Sequence, residues 1–115
     1  MKQFLVLYKA PVTVLDEWMK TPEEIRKPQE KKMEEDWNTW NDAHKSMFVG
    51  GTAGAGKTKL VTGNGVEDIR NDIMLYSVVQ GEAHEEVAKA FEGHPHFGIP
   101  EASIEIMQIN QVPGM

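Results

Sequence analysis

The sequence predicts an α+β fold, with elements in the order β, α, β, (β), β, α, β. Two segments alternate or run apolar like strands, residues 3–9 and residues 72–80. Between them, Met33, Trp37 and Trp40 recur at helical spacing. We therefore expect two strands around a long amphipathic helix, and further short elements after them.

The first part of the chain is expected to hold one strand and two helices. Both faces of the strand over residues 3–9 are apolar, which predicts that both faces are covered. Thr13 can cap a short helix, and Thr21 followed by Pro22 is typical of the start of a longer one. Because Pro28 removes a helical donor, we expect a kink or a restart of the longer helix there.

The remaining elements are short. We expect a strand over residues 46–50, a strand or hairpin arm over residues 57–62, a helix over residues 82–91 and a last strand over residues 102–109. The stretch 94–100 contains prolines and a glycine, so it is expected to be a loop.

This order favours the split βαβ, or ferredoxin-like, arrangement, in which two helices cover one face of an antiparallel sheet. We expect one such domain, spanning residues 1–115. The other sheet face would carry Leu5, Leu7, Met107 and Ile109, an apolar patch too large to leave in water. A second copy of the sheet is the simplest cover, so we predict a homodimer.

Composition disfavours several classes of function. The formal net charge is −6 and the basic residues are scattered, which argues against nucleic-acid binding. No apolar run approaches a membrane span, and residues 1–9 do not resemble a signal peptide, so we expect a cytoplasmic protein with no membrane partner. The absence of cysteine removes disulfide and thiolate chemistry, and nothing implies a cofactor.

Residues 51–58, GTAGAGKT, match the phosphate-binding pattern G-x-x-x-x-G-K-[ST]. A working P-loop needs a helix that starts at the Lys-Thr pair and points its N-terminus at the phosphates. Residues 57–62 instead alternate polar and apolar, which indicates a strand, and no later strand ends in an Asp for magnesium. We interpret the motif as a glycine-rich loop between strands and keep nucleotide binding as a remote alternative.

Two stretches, residues 88–96 (AKAFEGHPH) and residues 102–106 (ASIEI), resemble one known group. They are similar to the YCII-related proteins, which are small dimeric α/β-barrel proteins with a ferredoxin-like protomer, and the likeness spans nearly the whole chain. Some members carry a His, paired with an Asp, on the helix after the first strand. Glu34 stands near that position here and no His is close, so the resemblance implies the fold and the dimer more directly than an activity.

The candidate site residues are histidines, one carboxylate and aromatic side chains. His94 could carry protons, because imidazole titrates near neutrality. Glu105, on an otherwise apolar strand face, could orient a ligand or act as a base. Trp37 and Trp40 could form the walls of a pocket for an apolar or aromatic ligand. The residues expected to bind the ligand are Trp37, Trp40, His96 and Tyr76.

Each of these residues also has a structural interpretation. His94 and His96 could cap backbone groups in their turn. A metal site would need at least one more ligand, for which Glu92, His84 and His44 are the candidates by residue type, and no metal is expected. Glu105 could pair with Arg70, Lys9 or Tyr8, or reach water near the strand end. The tryptophans could pack in the core.

Three hypotheses about function follow. The first is an enzyme of lyase or isomerase type that uses His94 and Glu105 as an acid–base pair on a small molecule. The second is a non-catalytic binding or accessory protein with the same pocket. The third is the remote P-loop alternative, through residues 51–58.

Overall fold

The computed structural model describes residues 1–115, and the chain is α+β with antiparallel sheets. The strands are β1 (Lys2–Lys9), β2 (Ala53–Gly54), β3 (Thr58–Thr62), β4 (Gly65–Ile69), β5 (Ile73–Gly81) and β6 (Ser103–Gln108). The helices are α1 (Val12–Met19), α2 (Glu23–His44) and α3 (His84–Ala90). Short 3-10 turns occupy Lys45–Met47 and Pro95–Gly98.

Four strands form the main sheet, in the order β2-β5-β1-β6, while β3 and β4 form a separate hairpin. Strand β1 lies in the middle and pairs antiparallel with both β5 and β6. This order is compatible with a ferredoxin-like fold, in which the first strand is flanked by the last two long ones. The predicted fold class is therefore confirmed at the level of α+β with an antiparallel sheet.

The core lies on the face of the sheet that α3 covers. Phe4, Val6 and Tyr8 alternate along β1 and are fully buried, because alternate residues of a strand point to the same face. Val87 and Phe91 pack on them from α3 and its C-terminus. The polar end of Tyr8 is satisfied by a 3.0 Å hydrogen bond between its hydroxyl and that of Ser77.

The opposite face of the sheet is open. Leu5 pairs with Val78 on one side and Met107 on the other, and Leu7 pairs in the same way with Tyr76 and Glu105. None of these side chains is buried, and Tyr76 and Met107 are 45% and 42% exposed. We call this surface the open face, and its six members are Leu5, Leu7, Tyr76, Val78, Glu105 and Met107.

The molecule is flat. Its extents are 52 × 45 × 21 Å, and its radius of gyration is 16.3 Å. A compact domain of this length has a radius of gyration of about 13 Å. The hairpin contributes to the expansion, because it packs mainly on itself and leaves Val61 and Val66 72% and 65% exposed. Only 10 of 115 residues are buried, so a single copy leaves much of its apolar surface in water.

The predicted strand over residues 46–50 is wrong. A 3-10 turn continues α2 through Met47, and Phe48 makes only an isolated bridge to Val79. Gly50 then turns the chain at a φ of +83°, a conformation that glycine adopts without strain. Pairing with β5 resumes at Ala53–Gly54, so the edge strand is displaced and very short.

Helix α2 runs without a restart through Pro28, so that alternative of the prediction is wrong. Proline leaves the carbonyl of Glu24 without its helical donor, but Glu24 is exposed, so water can replace that donor. Both α1 and α2 begin directly after a proline, Pro11 and Pro22, and neither has a side-chain cap. The predicted threonine caps are therefore absent.

Candidate functional site

The sheet separates the sequence-predicted site residues into two groups. Trp37, Trp40, His94 and His96 lie on the side of the buried core, around Tyr8. Tyr76 and Glu105 lie on the open face, on either side of Leu7. A site that joins His94 to Glu105 within one copy of the chain, as the enzyme hypothesis requires, is therefore not formed.

The space between the two tryptophans is filled by a histidine. The ring centroid of His94 lies 4.4 Å from that of Trp37 and 4.4 Å from that of Trp40. Tyr8 and Phe91 complete the cage at 5.6 Å and 5.8 Å. The sides of Trp37 and Trp40 that face His94 are therefore packed against protein, and both tryptophans remain only partly buried.

One nitrogen of His94 is committed to the backbone. Its Nδ1 accepts a 2.9 Å hydrogen bond from the backbone N–H of His96 and so caps the 3-10 turn Pro95–Gly98. In the neutral ring the proton must then lie on Nε2. That nitrogen is buried without a hydrogen-bond partner, in a ring that packs between Trp37 and Trp40.

His96 ties the same turn to the sheet. Its Nε2 donates a 2.9 Å hydrogen bond to the carbonyl oxygen of Lys9, at the end of β1. Both histidines are nearly inaccessible, at 2% and 1% exposure. The geometry is thus the capping arrangement that the structural interpretation of His94 and His96 described.

Burial also sets the charge of these rings. It lowers the pKa of His94 from its ordinary value to about 4, with a smaller contribution from the positive charge of His96 and His44. It lowers the pKa of His96 as well, against the effect of the backbone carbonyls of Lys9 and Ser103. Because an efficient general base has a pKa near the working pH, His94 is poorly suited to proton transfer at neutrality.

Glu105 has an ion-pair partner, Lys9, one of the three partners that the sequence suggested. Its Oε2 lies 2.8 Å from Lys9 Nζ, and Asp72 lies 3.6 Å from the same ammonium. The hydrogen bond that the Lys9 ammonium donates to Glu105 raises the pKa of Lys9. The other two suggested partners bind elsewhere, Arg70 to Asp16 and Tyr8 to Ser77. Glu105 is half exposed and already paired, which is the setting of a structural carboxylate.

Two cavities lie elsewhere on the surface. One of about 440 Å³ lies between α3 and β6 and is lined chiefly by apolar side chains, including Phe91, Phe97 and Ile104. A larger one, of about 760 Å³, lies between α1, the glycine-rich loop and the base of the hairpin. Both volumes fall within the range of small-molecule sites.

The larger cavity is the feature that sequence reasoning missed. Thr58 begins strand β3, so no helix follows the glycine-rich loop and the architecture of a P-loop is absent. The loop instead contributes Gly56 and Lys57 to the cavity, beside Lys59 and Arg70 from the hairpin base. The turn signal at Gly63-Asn64 could have indicated this, because a hairpin there brings residues 57–59 next to residues 68–70.

No group of three or more His, Asp or Glu side chains is placed to hold a metal ion. None of the three helices combines the length and hydropathy that a bilayer span requires. No protein-family model matches the chain, and no curated protein matches its sequence. The basis for a function is therefore the geometry of the cavities and of the open face.

Proposed function

We propose that the protein binds a small molecule without turnover and acts as a homodimer of the dimeric α/β-barrel type. The observation that carries this proposal is the open face, where leucine, valine, methionine and tyrosine side chains line one side of a sheet and none is buried. The resemblance to the YCII-related proteins implies the same assembly, and the strand order β2-β5-β1-β6 supports it.

The flat shape of the chain supports pairing with a second copy of itself. A plate 21 Å thick has one covered face and one apolar face, and two sheets that stack face to face bury such surfaces about 10 Å apart. A twofold axis through the open face would place each Leu7 against the partner's open face, since an isologous interface uses the same patch twice. Both partners would thereby bury the apolar surface that one copy exposes.

Binding is favoured over catalysis by the positions of the two candidate catalytic residues. His94 is buried, accepts a backbone hydrogen bond through Nδ1 and is neutral at physiological pH, whereas Glu105 lies on the other face of the sheet. Two cavities of ligand size remain accessible on each copy. A binding or accessory protein needs only such a cavity, whereas an acid–base enzyme needs both groups at one reacting atom.

The test is native mass spectrometry of protein purified gently from its own cells. We expect a dimer that carries a co-purified small molecule. Leu7→Glu places a charge in the centre of the open face and should give a monomer, whereas Val61→Glu, on the exposed hairpin, should leave the dimer intact. Circular dichroism checks that both variants fold. A wild-type monomer at micromolar concentration, or a dimeric Leu7→Glu variant, would contradict the proposed assembly.

A further inference from the structure

We infer that the larger cavity is the binding site for a small monoanion with an apolar body, in particular a carboxylate, and that Lys57 is its charge partner. This inference rests on the proposed small-molecule binding and names the class of ligand. It also gives a role to the GTAGAGKT stretch, which matches a P-loop in sequence but lacks the helix of one.

One wall of the cavity is apolar. Val12 and Leu15 of α1 contribute to it, and Ile73 and Met74 face it from the start of β5. All four side chains are only partly buried, so an apolar ligand would cover surface that now meets water. Burial of such surface contributes roughly 25 cal/mol per Å², which favours a ligand with a hydrocarbon body over a small inorganic anion.

The opposite rim of the cavity carries three cationic side chains, and only one of them has no carboxylate partner. Lys59 pairs with Asp68, and Arg70 makes a two-pronged contact with Asp16, at 2.9 and 3.2 Å. Lys57 makes neither an ion pair nor a side-chain hydrogen bond. One uncompensated positive charge suits one negative charge. A dianion would be incompletely neutralised, in a chain whose net charge is already −6.

Hydrogen-bond donors accompany this charge. The backbone N–H groups of Gly56 and Lys57 donate to no protein acceptor. The side-chain amide of Asn71 lies at the same rim, where one of its two N–H groups donates to Thr58 Oγ1 at 3.4 Å. Free backbone N–H groups are donors from which a carboxylate can accept charge-assisted hydrogen bonds. No helix dipole reinforces these donors, because a strand follows at Thr58, so we expect a carboxylate to bind here more readily than a nucleoside triphosphate.

The test is a titration of ¹⁵N-labelled protein, in which amide shifts are followed by NMR. The probes are hexanoate, its neutral analogue hexanamide, and the dianion hexyl phosphate. We expect hexanoate to shift the amide signals of Gly56, Lys57 and Asn71, and to bind about tenfold more tightly than hexanamide, since a charge-assisted hydrogen bond contributes that much. Lys57→Gln should weaken hexanoate binding about tenfold. The matched control Lys32→Gln, on the exposed side of α2, should leave the affinity unchanged.

Several results would overturn the inference. Equal binding of hexanoate by the wild-type protein and Lys57→Gln would remove Lys57 as the charge partner. Amide shifts confined to other parts of the chain would show that this cavity is not the binding site. Tighter binding of hexyl phosphate than of hexanoate would show that the site prefers a dianion. If no probe binds here but the native dimer carries a neutral molecule, this inference fails and the proposed function stands. A monomer without any ligand would instead contradict the proposed function.

Discussion

At His94, a single ring combines a backbone cap with four aromatic neighbours, and this setting decides when the ring can take up a proton. Protonation would place a charge in a site shielded from water and would remove the Nδ1 lone pair that holds His96 N–H. Both effects oppose the charged form, which agrees with the low pKa of His94, about 4. The residue thus links the charge of one side chain to the stability of the histidine turn.

We expect this link to appear as a loss of stability in acid. An unfolded histidine has a pKa near 6.5, so between that pH and about 4 the unfolded state binds the proton more readily than the folded state. The contribution is fully present above pH 6.5 and is lost as the pH falls towards 4. Its size is on the order of 2 kcal/mol, after an allowance for solvent screening.

The measurement is urea unfolding between pH 4 and 7. His94→Asn keeps an acceptor for the backbone N–H but cannot titrate, so the free energy of unfolding should depend less steeply on pH than in the wild-type protein. His84→Asn is the control, because His84 is exposed and lies outside the cage. If the free energy of unfolding of His94→Asn depends on pH as steeply as that of the wild-type protein, the loss of stability in acid belongs to another group, and His96 is the first candidate.

Gly81 is a second residue whose identity is set by its surroundings. It ends β5 beneath α3, and an added Cβ would overlap Cγ2 of Val87 in the buried core. We expect Gly81→Ala to lower the free energy of unfolding by about 1–3 kcal/mol, since overpacking forces the helix away from the sheet. Gly51→Ala, where the new Cβ meets nothing within 4 Å, should change it little. If urea unfolding shows that Gly81→Ala and Gly51→Ala lower the free energy of unfolding equally, the overlap with Val87 is not the cause.

At the scale of elements, the periodic segments could be predicted and the irregular ones could not. Strands β1, β5 and β6 were predicted from their apolar patterns, because each packs a face on the core. Strand β2 has only two residues and is held by its pairing with β5. So short a strand has no apolar pattern from which it could be predicted. Strand β4 is largely exposed and polar, so only the turn before it signals its presence.

Among the candidate site residues, those on periodic elements could also be placed from the sequence, and the one in a loop could not. Alternation along β6 places Glu105 on the face opposite Ile104 and Ile106, and the structure agrees. Helical spacing also places Trp37 and Trp40 on one side of α2. Neither pattern reveals that the loop after α3 inserts His94 between them, because that depends on contacts between residues more than fifty positions apart.

Pro28 gives a prediction at the same scale. It lies in the second turn of α2, where it leaves the carbonyl of Glu24 without a helical donor. We expect Pro28→Ala to raise the free energy of unfolding by about 1–2 kcal/mol, because the restored hydrogen bond outweighs the greater freedom of the unfolded chain. Thermal or urea unfolding measures this, with Lys31→Ala on the same helix as the neutral reference. A less stable Pro28→Ala would show that the helix requires proline there.

For the whole molecule, the proposed dimer makes stability depend on concentration. If folding and association are coupled through the open face, the unfolding midpoint should rise with protein concentration, as mass action requires. For Leu7→Glu the midpoint should be independent of concentration, and for Val61→Glu it should behave as in the wild-type protein. Denaturation at several concentrations spanning two decades provides the measurement. A wild-type midpoint that does not move would contradict the coupling.

The flatness of the single copy has a hydrodynamic consequence. Each copy measures 52 × 45 × 21 Å, so two plates stacked on their broad faces gain thickness in the one dimension that is short. The pair would be rounder than either half, and its frictional ratio would fall on association even as its mass doubles. An edge-to-edge pair would become more elongated and show the opposite change. Sedimentation velocity could therefore tell which surface joins the two copies, before any interface is seen.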